Sequence, residues 1–413
     1  MLKNYFKIAI AVLKRRKFFT FISLFGISIT LAILMVLTSF YDHLIGANYP
    51  DVKRDRCLYV NVLVKKNSKT NSTSMGPVSF HFLNTYVCTL KTPEKVAISS
   101  MFSPTNTYVN NRKLLLRLKF TNAEFWDVLE FDFKQGKSYN ASDIAKGEFV
   151  AVITEETQKK YFGDEQDVVG KYIETDNVRY KVMGVVRDVP ITRINSHADI
   201  YVPYTLPKSN YQNKGYGGSY AAIILAKSRS DIPRIKEEFA HMMTRVPIPN
   251  PKEHDQVICH ADFYLASFTR TLFRDNDSDG RGFFFIVVSI FIILFMLLPT
   301  INLVNLNISR IMERSSEIGV RKAFGASSGT LVIQFIVENI LLTLIGGIIG
   351  ICISLVIIYL INTSGWLPYA DLSMNMKVLS VSLVLCLFFG FISGVYPAWR
   401  MSKLQVVDAL KAS

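Results

Sequence analysis

Four long apolar runs, placed as one, then a wide gap, then three, constrain this chain more than any other feature. A bilayer-crossing helix needs about 20 residues at a rise of ~1.5 Å each. Phe18–Tyr41 contains no charge, Phe283–Ile301 is equally apolar, Leu331–Ile361 exceeds the length of one span, and Val378–Tyr396 stops at Pro397. Proline cannot continue a helix, so the last run ends there. Only 19% of the 413 residues are charged, too few for a soluble chain of this size. The first run follows Lys14-Arg15-Arg16-Lys17. It is longer than a signal-peptide core, and Ser39-Phe40-Tyr41-Asp42 offers no small-residue cleavage site, so it is expected to stay as an anchor.

The positive charge reports orientation. Residues 1–17 carry six Lys or Arg and no acid, while 309–330 and 398–413 each carry a net of two positive charges. These three segments share a side if four spans alternate, and that side is expected to be the cytoplasm. The connection 362–376 carries Asp371 alone, and the long segment 42–282 is nearly charge-balanced. A net charge of +14 that tracks topology in this way gives no basic face for nucleic acid. The expected organisation is a basic segment 1–17, a first span 18–41, an outside domain 42–282, a second span 283–308, a cytoplasmic helix or loop 309–330, a third span 331–361, an outside loop 362–376, a fourth span 377–397 and a tail 398–413. The fold class is thus an α-helical membrane protein with four transmembrane helices and a large α+β domain inserted between helices one and two.

Within 42–282, strand and helix patterns alternate. Leu58–Val64 and Phe149–Thr154 read as strands, Leu114–Phe120 as a half-buried strand, and Pro77–Leu90 as an amphipathic helix. Thr154 is placed to cap a helix closing at Gly163, and Asp176-Asn177 to turn a hairpin between 171–175 and 178–186. Asp231, with Pro233 in the first turn, is expected to cap a helix running to about Arg245. Residues 42–95 with 205–282 are expected to form one subdomain and 96–204 a second.

Chemistry-bearing clusters are weak. Asp275-Asn-Asp277-Ser-Asp279-Gly280 matches half of a calcium loop, but its twelfth position is Ile286, which leaves a polar turn before the membrane. Glu253-His254-Asp255 and Cys259-His260 give no ligand set with metal spacing, so no metal site is expected. Cys57, Cys88 and Cys259 allow at most one disulfide, and none is predicted. There is no GxxxxGK[ST] loop and no GxGxxG after a strand, so this segment of chain is not expected to hydrolyse a nucleotide.

The segment after the second span is more informative. Ile308, Ile311, Met312, Ser315, Ile318 and Lys322 fall on one helical side, with Glu313, Arg314, Glu317 and Arg321 on the others. Glu317 to Arg321 is the favourable i,i+4 order, Gly325 suits the end of that helix, and Ser327 or Ser328 suits the cap of the next. Glu317-Ile-Gly-Val-Arg-Lys-Ala-Phe-Gly-Ala326 closely resembles the E-I-G-x-R-K-A-x-G-A signature of the MacB/FtsX-like permeases of ATP-binding-cassette transporters. Gly394-Val-Tyr-Pro-Ala-Trp-Arg-Met-Ser-Lys403 with Asp408-Ala-Leu-Lys411 resembles that family's C-terminal pattern, although Gln405-Val-Val-Asp408 departs from the usual proline. Gly136, Val152-Ile153, Phe162-Gly163, Val169-Gly170-Lys171 and Met183-Gly184-Val185 resemble a MacB-type periplasmic core domain.

The resemblance implies a permease subunit in a bacterial inner membrane, with both termini cytoplasmic and 42–282 periplasmic. It implies a coupling surface for a cytoplasmic ABC ATPase formed by Glu313, Glu317, Ile318, Gly319, Arg321, Lys322, Ala323, Phe324, Gly325 and Ala326. ATP and Mg would be bound by that partner, with no cofactor in this chain. A second permease protomer, membrane lipid and a periplasmic adaptor or outer-membrane channel complete the implied partners. The output would be export or extraction of an envelope substrate by transmitted motion. Gly346-x-x-x-Gly350 and Gly390-x-x-x-Gly394 place small residues for close helix packing, within a protomer or across a dimer. Glu338, in the third run, has no cationic partner in the spans, which argues against proton-coupled transport. Two rival classes are a signalling receptor, or a regulator of a cell-wall hydrolase, using the same outside domain as sensor, and an intramembrane enzyme. The last lacks paired catalytic residues in the spans.

Overall fold

The computed structural model describes residues 10–11, 15, 17–109, 112–273, 278–312, 320, 324, 327–365, 371–374, 376, 379–381, 383–384, 387–388 and 391. They fall into two compact units: Leu44–Phe284, and the remainder. The helices that matter below are α1 (Lys17–Ile45), α2 (Phe80–Thr85), α3 (Glu155–Phe162), α4 (Ile232–Thr244), α5 (Tyr264–Phe273), α6 (Arg281–Met312) and α7 (Ser328–Thr363). The strands are β1 (Cys57–Val60), β2 (Leu63–Asn67), β3 (Ser72–Gly76), β4 (Lys95–Ser100), β5 (Ser103–Val109), β6 (Arg112–Thr121), β7 (Phe133–Gly136), β8 (Val150–Thr154), β9 (Tyr172–Thr175), β10 (Val178–Val186), β11 (Ile200–Pro203), β12 (Tyr220–Leu225) and β13 (Gln256–Cys259).

In the helical unit, two segments among the described residues are long and apolar enough to cross a bilayer, Thr20–Ile45 and Ile336–Thr363. The expected fourth span lies largely outside the described residues. Helix α6 runs unbroken to Met312, into the segment expected to be a helix or loop, and α7 starts at Ser328, next to the expected cap. Ser327 caps α7 by accepting from the Thr330 N–H. Along α1, Ser23, Ile27, Leu31, Leu34, Met35 and Ser39 are buried, whereas Phe18, Phe21, Phe25 and Ile29 are exposed. That is one helical stripe packed on protein and another turned outward, as an amphipathic arrangement in lipid requires.

The inserted domain is built on a ten-stranded mixed sheet in the order β1-β12-β4-β6-β11-β8-β10-β7, with β5 added on β6 and β9 on β10. Successive residues of single strands enter two different clusters: Leu58, Val60, Ala151 and Ile153 one, Cys57, Tyr59, Val150 and Val152 the other. The sheet is therefore covered on both faces, which is why runs such as Val150–Thr154 read as continuous apolar stretches rather than alternating ones. Strands β8 and β10 are parallel, joined through α3, which Thr154 caps and Gly163 closes at φ 69°. Asp176 and Asn177 turn the β9–β10 hairpin with both φ positive. Gly136 and Gly184 face each other across β7 and β10, and a Cβ on Gly184 would lie 2.7 Å from the Lys137 carbonyl oxygen.

Four local expectations change. Leu58–Val64 is two strands, β1 and β2, broken at Asn61-Val62, because β2 leaves the large sheet to pair with β3 and β13. The expected helix 77–90 shortens to α2 and a 3₁₀ turn, Val87–Thr89, as Val78 is drawn into a bridge with Tyr220. Asp231 does not cap α4 through its side chain; it returns to the Ser228 N–H in a capping box over the preceding turn. The two expected subdomains share one continuous sheet, joined where β12 pairs with β4, Tyr220 opposite Ser100 and Ala222 opposite Ile98.

Candidate functional site at the root of the inserted domain

A helix leaves its last carbonyls without intrahelical donors. At the end of α1 those of Leu44 and Ile45 accept from Nη1 of Arg54, at 3.2 and 3.0 Å. A buried guanidinium needs a counter-charge, and Asp51 supplies it: Oδ2 lies 2.8 Å from Nε and 2.7 Å from Nη2. The Tyr59 hydroxyl donates to the same carboxylate at 2.8 Å, and the Tyr264 ring centroid lies 3.5 Å from Cζ of Arg54. Burial alone would lower the Arg54 pKa; the neighbouring Asp51 charge outweighs it and holds the group above the ordinary arginine value. Burial raises the Tyr59 pKa, and Asp51 adds to the shift. The joint is thus a fixed cation on a neutral phenol and a carboxylate.

One residue further on, the Gly46 carbonyl accepts from Nη1 of Arg193 at 2.9 Å. Arg193 is almost fully buried, and burial, with Arg54 nearby, lowers its pKa to about 10. It sits in a loop whose carbonyls are held by the sheet. The Ile194 oxygen accepts from Lys119 Nζ at 3.3 Å, the Asn195 oxygen from Ser99, and the Ser196 oxygen from the Tyr201 hydroxyl. Lys119 is fully buried on β6, also donates to the Ser100 carbonyl at 2.7 Å, and has its pKa lowered to about 7 by burial.

The start of α6 is tied to the same strand. Tyr59 and Asp262 exchange backbone hydrogen bonds of 2.7 and 3.1 Å. Arg270 on α5 donates from Nε to the Asp262 carboxylate at 2.9 Å and from Nη1 to the Ser278 carbonyl at 2.9 Å. Thr269 donates to the Asp279 carbonyl at 2.5 Å, and Asp279 accepts from the backbone N–H of Arg281, the first residue of α6. Within the Leu44–Phe284 unit, the segments Leu44–Gly46 and Ser278–Arg281 are thus both held close to Tyr59 and its neighbours.

None of Asp51, Arg54, Arg193 or Arg270 was marked by the sequence. Only Asp51-x-x-Arg54, an acid and a base shortly after an apolar run, offered a signal; the other two arrive from residues far away in the chain. Of the expected coupling residues, Phe324 is described and its side chain is 88% exposed. Glu313, Glu317, Ile318, Gly319, Arg321, Lys322, Ala323, Gly325 and Ala326 lie outside the described residues, as do Gly390 and Gly394. Gly346 and Gly350 are both used within the chain. A Cβ on the first would lie 2.7 Å from Ile27 Cγ2, and on the second 2.9 Å from the Ser28 carbonyl. Glu338 is buried beside Asn339. Asp275 and Asp277 lie outside the described residues. Asp255 spends one oxygen on the Ser68 N–H, and no group of three metal-ligating side chains gathers among the described residues. Cys57, Cys88 and Cys259 are free thiols.

Residues 20–242 match the MacB-like periplasmic core domain, and 289–406 the FtsX-like permease C-terminal domain. The macrolide export ATP-binding/permease protein MacB of Mannheimia succiniciproducens is 27% identical over 319 residues, covering 77% of this chain and 46% of that protein. Its namesake in Acinetobacter baylyi is 24% identical over 422 residues, covering 99% and 59%. The periplasmic region of MacB from Actinobacillus actinomycetemcomitans superimposes with a TM-score of 0.36 at 17% identity, over 53% of this chain and 94% of that one. The chain spans about half the length of the curated relatives it matches. With the first domain match alone covering more than half of its residues, the chain belongs to the MacB-like permease family of ABC transporters.

Proposed function

We propose that this chain is the permease subunit of a MacB-type system in a bacterial inner membrane, transmitting ATP-driven motion from a separate cytoplasmic ATPase to its periplasmic domain. The observation that carries the reading is the double anchorage on β1. Arg54 grips the carbonyl end of α1, and Arg270 with Thr269 fixes the turn that begins α6. A pore would need a polar lined pathway; a lever needs stiff ends, and buried charge-assisted hydrogen bonds supply stiffness.

In this reading four helices cross the membrane with both termini in the cytoplasm, and two such protomers assemble with two ATPase subunits that bind ATP and Mg. Residues Glu313, Glu317–Gly319 and Arg321–Ala326 form the surface that the ATPase moves. Ile318 and Phe324 would enter an apolar groove, and Glu317 and Arg321 would make ion pairs at its rim. The relatives' role in macrolide export makes an export substrate of amphiphilic character the first to test. Co-expression with a Walker A-containing ATPase encoded beside this gene tests the assignment. Stimulated hydrolysis that depends on Arg54 supports it. Hydrolysis indifferent to the permease overturns it.

A further inference from the structure

The loop that carries Arg193 turns on one buried imidazole. His197 is fully buried, and its Nδ1 lies 2.6 Å from the Val189 carbonyl oxygen. Only an N–H can meet a carbonyl oxygen at that distance, so Nδ1 holds the proton of the neutral ring. Nε2 is then an acceptor, and it faces Nη1 of Arg117 on β6 at 3.3 Å. The Phe102 ring packs against the imidazole nearly at right angles, with centroids 5.4 Å apart. The backbone of the same loop folds over Arg193: the Ser196 and His197 N–H groups both donate to its carbonyl, at 2.9 and 2.7 Å. His197 thus ties together the two ends of a turn whose middle residue reaches the Gly46 carbonyl.

A second proton on this ring would set Nε2–H against the Arg117 guanidinium, which has donors only. The charged groups around the ring are Arg117 and Lys119 on β6, and Asp199 two residues on. The Asp199 carboxylate already accepts from the Arg117 N–H at 2.7 Å and lies 3.9 Å from Arg117 Nη1. We propose that protonation of His197 is an acid switch: it breaks the Arg117 contact, opens the Val189–Asp199 loop and loosens the hold of Arg193 on Gly46. Burial, aided by Arg117 and Lys119 and opposed by Val189 and Asp199, holds the closed imidazole below its ordinary value. The opened ring takes its proton at about pH 6.5. The loop therefore has its full stability above that pH and loses it progressively toward the lower, closed-state value. Asp188, next to Val189, accepts from the Glu156 N–H at 3.2 Å, and burial raises its carboxyl, so acid favours its folded form. A loss of protection in acid thus belongs to His197 and not to Asp188. The switch works with or without an ATPase, so its test stands apart from the preceding proposal.

The test is hydrogen–deuterium exchange on the purified full chain in a non-ionic detergent, at about pH 7 and about pH 5, with labelling times scaled to the intrinsic rate. The reporters are the Ser196, His197 and Asp199 amides of the loop and the Asn48 amide, which donates to the Gly46 carbonyl. Strand β12 serves as the reference for global folding. In acid the loop should lose protection at least about threefold relative to β12, and the Gly46–Asp51 turn should follow by a smaller factor. His197→Asn keeps an amide N–H for Val189 and gains no proton, so its loop should be equally protected at both pH values. Arg117→Gln supplies an acceptor for Nε2–H and should blunt the response. In Arg193→Met the loop should still open in acid while the turn no longer follows. Equal protection of the unaltered loop at both pH values would overturn the proposal. So would a full acid response in His197→Asn or, should that variant lose protection in β12, in Arg117→Gln. A Gly46–Asp51 turn that stays closed while the unaltered loop opens would overturn it as well.

Discussion

Arg54 and Tyr264 meet face to face at the root of the periplasmic domain, with Cζ 3.5 Å from the ring centroid. One belongs to the turn after the first apolar helix, the other to the helix that leads into the second. The contact joins the turn after α1 to the first residue of α5, and the guanidinium is simultaneously spent on Asp51 and on two α1 carbonyls. Its energetic and mechanical consequences can be separated by substitution.

Arg54→Met leaves Asp51 buried with Tyr59 as its remaining donor at this joint and frees the carbonyls of Leu44 and Ile45. Breaking a buried pair in this way costs about 3–5 kcal/mol. Asp51→Leu with Arg54→Met should recover part of that loss, because no charge stays buried. Thermal unfolding of the two variants, followed by aromatic circular dichroism, measures the difference. A double variant less stable than the single one would refute the account. Partner-stimulated ATP hydrolysis should fall in both, since neither restores the grip on α1.

Lys119 predicts a pH dependence. Its folded pKa is about 7, against about 10.5 when unfolded, so between those values the unfolded chain holds the extra proton. Stability contributed by this group therefore rises with pH from about 7 upward, by at most ~1.4 kcal/mol per pH unit, and is level below 7. Cys57 and Cys259, raised by burial, oppose the trend above about pH 9, where unfolded thiols ionise. The useful window is thus pH 7 to 9. Urea melts across it should show a shallower slope for Lys119→Met than for the unaltered protein. Parallel slopes would mean that Lys119 keeps its proton in the fold.

The two membrane glycines are predicted to differ. Gly346→Ala meets the side chain of Ile27, so Ile27→Ala should rescue it. Gly350→Ala meets the Ser28 carbonyl oxygen as well as Leu31, and backbone cannot be trimmed away. Overpacking of this kind costs about 1–3 kcal/mol. Thermal inactivation in detergent is the readout. Rescue of Gly350→Ala by Leu31→Ala to the full native level would contradict the assigned contact.

The coupling surface is tested by charge reversal. Glu317→Lys with Arg321→Glu keeps the net charge of the segment but would present inverted charges to the proposed ATPase. Membrane insertion should be unchanged, and ATPase stimulation should drop at least about tenfold. Normal stimulation counts against the assignment.

Much of the domain's local architecture was readable in one dimension, because turn chemistry is local. Thr154 and Gly163 bracket a helix, and Asp176-Asn177 turns a hairpin, through backbone preferences that hold in any tertiary setting. Asp231 misled because its carboxylate accepts from the Ser228 N–H, three residues before it, and so closes the preceding turn instead. The root joint was illegible for a different reason. Arg193 reaches Gly46 across 147 positions and Asn61 reaches Ser267 across 206, and no periodicity encodes such pairings.

The amino-acid order by itself determined that long apolar helices flank a charge-balanced domain, since hydropathy and Lys/Arg distribution act through the solvent and need no partner. It also carried the family motifs. Which charges became buried joints was decided only by the tertiary structure. Desolvation and counter-charge depend on what packs around a side chain, so Asp51, Arg54 and Lys119 acquired their roles when distant strands and loops closed over them.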